Sequence, residues 1–142
     1  MSDPYRLERF VQAQAAVYAD VVAELTAGRK CTHWMWFIFP QIAGLGRSAT
    51  AQHFAISSLA EARAYAAHPV LGPRLMQCAA LARDAKVRDA HALFGSPDDL
   101  KFHSSMTLFA LADPAAAVYD ACLARYFNGK ADMRSVELAR ET

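Results

Sequence analysis

The sequence is poor in cysteine, in unbalanced charge and in long apolar runs. Its 142 residues include three cysteines, Cys31, Cys78 and Cys122, and this odd, scattered set favours reduced thiols over a disulfide framework. A net charge of +1 supplies no long-range field for nucleic acid or an anionic membrane. The longest apolar run, Trp34 to Pro40, is far shorter than the roughly 20 residues of a membrane span. These features predict a cytoplasmic protein with neither a nucleic-acid nor a membrane partner.

The motifs that mark metal, cofactor and nucleophile sites are also missing. The histidines never stand four residues apart and none lies beside a Cys-x-x-Cys pair, so no metal site is predicted. Gly44-Leu-Gly46 lacks the third glycine and the preceding strand of a dinucleotide-binding loop, so no cofactor is predicted. No Gly-x-Ser-x-Gly motif occurs. The short spacing between Cys31 and His33 does not by itself build a nucleophile and its base.

Helix-start and helix-stop signals are present along the whole chain. Acidic or hydroxyl caps, some followed by proline, mark the starts, and glycines mark the ends. They predict an all-α fold: a single compact domain over residues 1–142, with roughly six to eight helices around an irregular aromatic segment. The first helical stretch runs to Gly28 as one helix, or as two with a break near residues 12–15. The predicted starts are Asp3-Pro4, Ser48, Ser58 in a capping box with Glu61, Ser96-Pro97, Asp113-Pro114 and Asp132.

The irregular aromatic segment, Lys30 to Ser48, reads KCTHWMWFIFPQIAGLGRS and contains both tryptophans. It has no clean period and Pro40 closes its apolar run, which favours a short helical turn or an irregular buried segment over a strand. Because aromatic rings dominate the energetics of burial, most of these rings are expected in the core. Trp34 or Trp36 could in addition form the wall of a pocket.

Cations and hydroxyls near this segment are candidates for ligand contacts. At residues 46–48, backbone N–H groups before a predicted helix could hold an anion together with Arg47, and a plain capped helix with a solvated arginine is the alternative. The helical stretch 101–107 carries Ser104 and Ser105, whose hydroxyls serve either close helix packing or a ligand. The two regions are expected to face one another across the aromatic segment.

Ionisable residues also lie just before the aromatic segment and at its start. Glu24 and the Arg29-Lys30 pair are interpreted as solvated charges at the end of a helix. His33 is either a structural histidine or a general acid–base group that titrates near neutral pH.

Several motifs taken together resemble one protein family. They are DPYRLERFVQAQ, HWMWFIFPQIAGLGRS, FAISSLAEARAYAAHPVLGPRL and FGSPDDLKFHSSMTLF, and the similarity covers residues 3–128. On these motifs the sequence resembles the domain of unknown function 1810 family. Its members are often labelled calpastatin in genomes, a label without physical support in these residues. The resemblance implies a compact all-helical domain and supplies no reaction.

The resemblance also implies a set of characteristic positions. The sequence differs from the usual pattern at two of them: Thr32 stands where members usually have serine, and His103 stands where they usually have a basic residue, often arginine. If that cation binds a ligand, His103 makes its role pH-dependent. The implied positions are Lys30, His33, Trp34, Trp36, Phe39, Pro40, Gln41, Gly44, Gly46, Arg47, Lys101, Ser104, Ser105 and Thr107.

Two functional classes remain open. In the first, the protein has a pocket for an anionic, ring-containing small molecule such as a nucleotide or an ADP-ribose derivative. Hydrolysis of an N-glycosidic bond is the candidate reaction, with Asp98, Asp99 and His33 as the nearest candidate groups. In the second, the protein is a non-enzymatic protein-interaction module whose aromatic cluster is purely structural. The ligand-binding candidates, in a monomer or weak homodimer, are Lys30, His33, Trp34, Trp36, Gln41, Arg47, Ser48, Lys101, Ser104 and Ser105.

Overall fold

The regular structure of the chain is helical in the computed structural model, which describes residues 2–142. The all-α prediction is confirmed: the described residues form ten helices and no β-strand, apart from an isolated parallel bridge between Ile42 and Ile56. The count exceeds the expected roughly six to eight because the first helical stretch divides in two and the aromatic segment itself makes one helical turn. The helices are α1 (Glu8–Ala15), α2 (Tyr18–Ala27), α3 (Met35–Ile38), α4 (Ala49–His53), α5 (Leu59–Ala67), α6 (Leu71–Asp84), α7 (Ala90–Phe94), α8 (Asp98–Ala112), α9 (Ala117–Phe127) and α10 (Met133–Arg140).

Helix α8 lies at the centre of the fold. It packs against α5, α7, α9 and α10, whereas α6 packs against α2, α5 and α9. The rings of Phe94 and Phe102 stack with their centroids 4.5 Å apart, and the ring of Phe39 meets that of Phe102 edge-on at 5.0 Å. The aromatic segment is therefore attached to the central helix through Phe39.

The first helix begins later than the sequence predicts. The predicted start at Asp3-Pro4 is wrong, since α1 begins at Glu8. Arg6 adopts a φ of 52°, in the left-handed region, so the chain turns before it becomes helical. The Asp3 carboxylate still accepts hydrogen bonds from the backbone N–H groups of Leu7 at 2.8 Å and Glu8 at 3.1 Å. Asp3 therefore caps α1, but across an intervening turn.

The rest of the N-terminal stretch follows the two-helix alternative. Helix α1 ends at Ala15 and α2 begins at Tyr18, one or two residues beyond the predicted break. Gly28 ends α2 with a φ of 80°, and its backbone N–H reaches the carbonyls of the last turn. A glycine is the residue that adopts this left-handed conformation at least cost.

The remaining cap predictions are confirmed at three positions and wrong at two, Ser96 and Asp113; α9 begins only at Ala117, without a side-chain cap. Ser48, Ser58 and Asp132 each accept a hydrogen bond from the backbone N–H group three residues later. Ser96 does not cap α8, because the helix begins at Asp98 and the serine stands one residue too early to reach its free N–H groups.

The second half of the aromatic segment is fixed against the chain leading into α5. Ile56 N–H donates to the Gln41 carbonyl and Ala43 N–H donates to the Ile56 carbonyl, both at 2.8 Å. A β-carbon at Gly46 would lie 2.5 Å from the β-carbon of Ala51, so only glycine lets α4 approach this closely. These contacts hold residues 41–46 in place beside α8.

Candidate functional site

Trp34 anchors the aromatic segment in the core. Its side chain is 1% exposed, and its ring centroid lies 6.2 Å from that of Phe39. The indole Nε1–H donates to Glu24 Oε1 at 3.1 Å, and the Lys30 ammonium lies 5.1 Å from the centre of the ring. Trp34 is therefore enclosed by α2 on one side and by the rest of its own segment on the other.

The interpretation of Glu24 as a solvated helix-end charge is wrong. Its carboxylate accepts hydrogen bonds from Cys31 N–H at 2.5 Å, from Thr32 N–H at 2.9 Å and from Thr32 Oγ at 2.6 Å. The indole N–H of Trp34 is a fourth donor to the same carboxylate. These donors reach Glu24 only because the chain at residues 31–34 folds back on α2. Glu24 is therefore the group that attaches the start of the aromatic segment to α2.

The hydrogen bonds of Glu24 predict a pH dependence of stability. Burial acts to raise the pKa of Glu24, but the four donated hydrogen bonds outweigh it and hold the pKa below its ordinary value. The resulting stabilisation is complete above the unfolded-state pKa of about 4.3 and is lost as the pH falls through the lower folded-state pKa. When the free energy of unfolding is measured in urea at a series of acid pH values, Glu24→Gln should lose less stability than the wild type as the pH falls. Glu8→Gln, at an exposed carboxylate on α1, should leave the loss unchanged, and equal curves for all three proteins would contradict the assignment.

Lys30 is also not solvated, and it shares a carboxylate with Lys101. The Lys30 side chain is 7% exposed and its ammonium lies 2.9 Å from Asp98 Oδ2. The other oxygen of Asp98 lies 3.5 Å from the ammonium of Lys101, whose side chain is 22% exposed. Lys30 is therefore committed to a buried ion pair, while Lys101 has a longer contact and remains open to solvent.

Lys101 also covers the second tryptophan. Its ammonium lies 4.8 Å from the centre of the Trp36 ring, which is partly exposed. Trp36 and Lys101 line a small cavity together with Phe39, Gln41 and Gly46. The volume of this cavity is about 10 Å³, which is room for about one water molecule. Trp36 thus forms the wall of a cavity, as the sequence suggested for one tryptophan, but a ring does not fit into it.

The hydroxyls of α8 have different environments. Ser104 Oγ lies 3.1 Å from both the Leu100 carbonyl and Asp132 Oδ2, and Thr107 Oγ accepts the backbone N–H of Asp132 at 2.9 Å. The hydroxyl of Ser105 is fully buried and has no hydrogen-bond partner among residues 2–142. Ser104 and Thr107 therefore attach the start of α10 to α8, which favours the packing interpretation for Ser104.

His103 is used in packing. Its ring stacks on that of Phe127 with centroids 4.0 Å apart, and its Nε2 lies 2.8 Å from the Lys130 carbonyl. Because a carbonyl only accepts hydrogen bonds, Nε2 carries a proton.

Three of the candidate residues, His33, Arg47 and Ser48, do not line the small cavity beside Trp36. His33 is exposed and makes no hydrogen bond or ion pair within residues 2–142, so it does not join Asp98 or Asp99. Ser48 Oγ caps α4 through the N–H of Ala51 at 3.1 Å, and the Arg47 side chain is exposed.

Gln41 and Lys101 meet in a groove along the open side of α8, which we call the α8 groove. Its volume is about 410 Å³, within the roughly 300–1,000 Å³ of small-molecule sites. Arg134 adds a cation that the sequence did not single out, because α10 comes beside α8 only through long-range contacts. Gln41, Gly46 and Lys101 line both this groove and the small cavity, so the two adjoin. The groove is lined by Gln41, Leu45, Gly46, Pro97, Leu100, Lys101, His103, Ser104, Asp132 and Arg134.

Comparisons with known proteins agree with the motifs. Residues 4–139 match a family model described as "Protein of unknown function (DUF1810)". The structure is similar to the 1.38 Å crystal structure of the conserved hypothetical protein Rv1873 from Mycobacterium tuberculosis, with a TM-score of 0.96 and 54% identity over 99% of this chain and 100% of that chain. No curated protein matches the sequence. Within residues 2–142, no helix combines the length and apolar character that crossing a membrane requires.

Proposed function

The chain belongs to the DUF1810 family of proteins of unknown function, and we propose that its α8 groove binds a small anionic molecule. The observation that carries this proposal is the convergence of Gln41, Lys101 and Arg134, from three separate elements, on one groove of about 410 Å³. Lys101 and Arg134 suit a phosphate group, the Gln41 amide can both donate and accept, and Leu45 and Leu100 offer apolar surface to a ring. A nucleotide or an ADP-ribose derivative carries both kinds of group.

The two cations are available to a ligand although each already contacts a carboxylate. The ammonium of Lys101 lies 3.5 Å from Asp98, and the guanidinium of Arg134 lies 3.4 Å from Glu137. Both contacts are long. The Arg134–Glu137 pair is also more than half exposed on both sides, and exposed ion pairs contribute little free energy. A charge-assisted hydrogen bond to phosphate contributes about 1.5–3 kcal/mol, so two cations support micromolar to millimolar affinity.

The proposal is for binding and does not extend to hydrolysis. Asp98 lies between two lysines, and Asp99 Oδ2 lies 3.6 Å from His91 Nδ1. The candidate general acids and bases are therefore engaged elsewhere or, for His33, away from the groove. No pair of them is arranged to act on a molecule bound there.

A thermal-shift screen of nucleotides, ADP-ribose, sugar phosphates and inorganic phosphate tests the proposal. A ligand at a hundred times its dissociation constant should stabilise the wild type by about 2.7 kcal/mol. Lys101→Gln and Arg134→Gln should each remove most of that stabilisation while changing the unliganded melting point little. Lys86→Gln, at an exposed lysine outside the groove, should retain it. A wild type that no anion stabilises, or a shift that both groove variants keep, would contradict binding in the groove.

One observation favours the alternative, a protein-interaction module. Leu100 and Met133, 62% and 60% exposed, are large apolar side chains at and beside the groove, and exposed apolar surface marks interaction sites. On this account the protein is a monomer or weak homodimer, and sedimentation velocity at increasing concentration would detect self-association that Leu100→Ser reduces.

The thiols Cys31, Cys78 and Cys122 are all free, which supports a cytoplasmic location.

A further inference from the structure

We propose that a cleft beside the N-terminal turn is a second binding site, which takes a small oxyanion such as a phosphate or carboxylate group. This N-terminal cleft has a volume of about 350 Å³ and shares no lining residue with the α8 groove. The residues that matter for its chemistry are Tyr5, Arg6, Arg9, His53, Ser57 and Glu61.

The floor of the N-terminal cleft is a buried ion pair whose groups are satisfied. Arg9 Nη2 lies 3.0 Å from Glu61 Oε2. The Arg9 guanidinium also donates to carbonyls of the N-terminal turn and to those of His53, the last residue of α4, and Ala55. The second oxygen of Glu61 accepts the N–H and the hydroxyl of Ser57, both at 2.8 Å. The floor is therefore neutral as a unit and its acceptor groups are already occupied.

The rim of the N-terminal cleft, in contrast, carries hydrogen-bond donors that have no acceptor among residues 2–142. The guanidinium of Arg6 makes no hydrogen bond or ion pair within residues 2–142, and neither does the hydroxyl of Tyr5. The His53 ring meets the Phe54 ring edge-on at 4.6 Å, and its nitrogens make no hydrogen bond or ion pair within residues 2–142. Because Glu61 pairs with Arg9, the lining of the cleft offers no second carboxylate to Arg6. A ligand that fits must bring acceptors and negative charge, which an oxyanion does.

The backbone of Arg6 gives a separate reason to expect a function there. Its φ of 52° lies in the left-handed region, which glycine adopts freely and which is costly for a long side chain. The conformation is held by the Arg6 carbonyl, which accepts both the backbone N–H of Arg9 at 3.1 Å and its Nη1 at 3.0 Å. Strained backbone of this kind concentrates at ligand sites, where the position of the side chain compensates for the strain.

An amide chemical-shift titration of the full chain with inorganic phosphate tests this second site. In the wild type, phosphate should cause saturable shifts at residues 5–9 and 52–57. Arg6→Gln, which keeps the strained backbone and removes the charge, should weaken binding by roughly tenfold or more. Lys101→Gln in the α8 groove and Arg63→Gln on the exposed side of α5 should leave the shifts at the cleft unchanged. A parallel titration with citrate distinguishes a preference for phosphate from one for carboxylate.

Arg6→Gly separates ligand binding from folding. It should abolish the shifts at the cleft while leaving the melting temperature equal or higher, because glycine relieves the strained φ. No saturable shift at residues 5–9 and 52–57 of the wild type with either anion would overturn the proposal, and so would unchanged affinity in Arg6→Gln. Since the wild-type shifts are resolved by residue, phosphate binding confined to the α8 groove would support the first site and refute the second.

Discussion

Trp34→Ala should lower the free energy of unfolding by about 3–5 kcal/mol, measured by urea denaturation. The ring is 1% exposed and lies between Phe39 and the end of α2. Truncation would leave a cavity at the base of the aromatic segment, and it would also remove the N–H donor of Glu24, which lies 3.1 Å from the carboxylate. Both effects destabilise the folded state and neither affects a ligand directly.

Trp36→Ala is the matched control for that prediction. Trp36 is partly exposed and its main polar contact is the Lys101 ammonium 4.8 Å from the ring centre. Its truncation should cost about 1–2 kcal/mol, within the range of ordinary substitutions. Equal losses for the two variants would contradict the assignment of Trp34 as the anchor, and a larger loss for Trp36 would reverse it.

Glu61→Ala should also cost about 3–5 kcal/mol, because it leaves one partner of a buried ion pair without its counter-charge. The Glu61 side chain is 2% exposed and that of Arg9 is 11% exposed, with 3.0 Å between their charged atoms. Arg9 also joins the turn before α1 to the carbonyls of His53 and Ala55. Loss of the carboxylate therefore weakens the attachment of the N-terminus to the chain between α4 and α5.

The surface pair of Arg134 and Glu137 provides the control for the buried one. Its atoms lie 3.4 Å apart with both side chains more than half exposed, so Glu137→Ala should change stability by less than about 1 kcal/mol. A similarly small loss for Glu61→Ala would show that water reaches the Arg9–Glu61 pair and would contradict its role as a structural connection.

Local chemistry explains why most helix boundaries could be predicted. A cap such as Ser58 bonds the N–H of Glu61 three residues later, so the whole interaction is visible in a short stretch of sequence. The predicted start at Asp3-Pro4 is wrong because the neighbouring residues carry no sequence signal for the left-handed conformation of Arg6. That conformation is held by the hydrogen bonds that the Arg6 carbonyl accepts from Arg9.

Interactions between distant parts of the chain could not be predicted in the same way. The interpretation of Glu24 as a solvated charge is wrong because its donors, Cys31, Thr32 and Trp34, reach it only after the loop folds back. The sequence also has no signal that decides which tryptophan is buried. Trp34 and Trp36 are two residues apart, and the position of α2 determines that the first is enclosed.

The sequence predicts some of the residues that line the α8 groove, but it does not predict the full set. Gln41 and Lys101 line one groove, while Lys30 is committed to Asp98 and Arg47 lies outside the lining. Arg134 could not be predicted because it belongs to the last helix, whose place beside α8 depends on the hydrogen bonds that Asp132 makes with Ser104 and Thr107.

The central claim, that the α8 groove is a binding site for a small anionic molecule, is tested most directly by a crystal structure determined with saturating ADP-ribose. The account predicts ligand density in the groove, with a phosphate oxygen within hydrogen-bonding distance of Lys101 Nζ and a second near Arg134, and with Trp34 unmoved. An empty groove in crystals whose lattice leaves it open, or density confined to another face of the protein, would contradict the account.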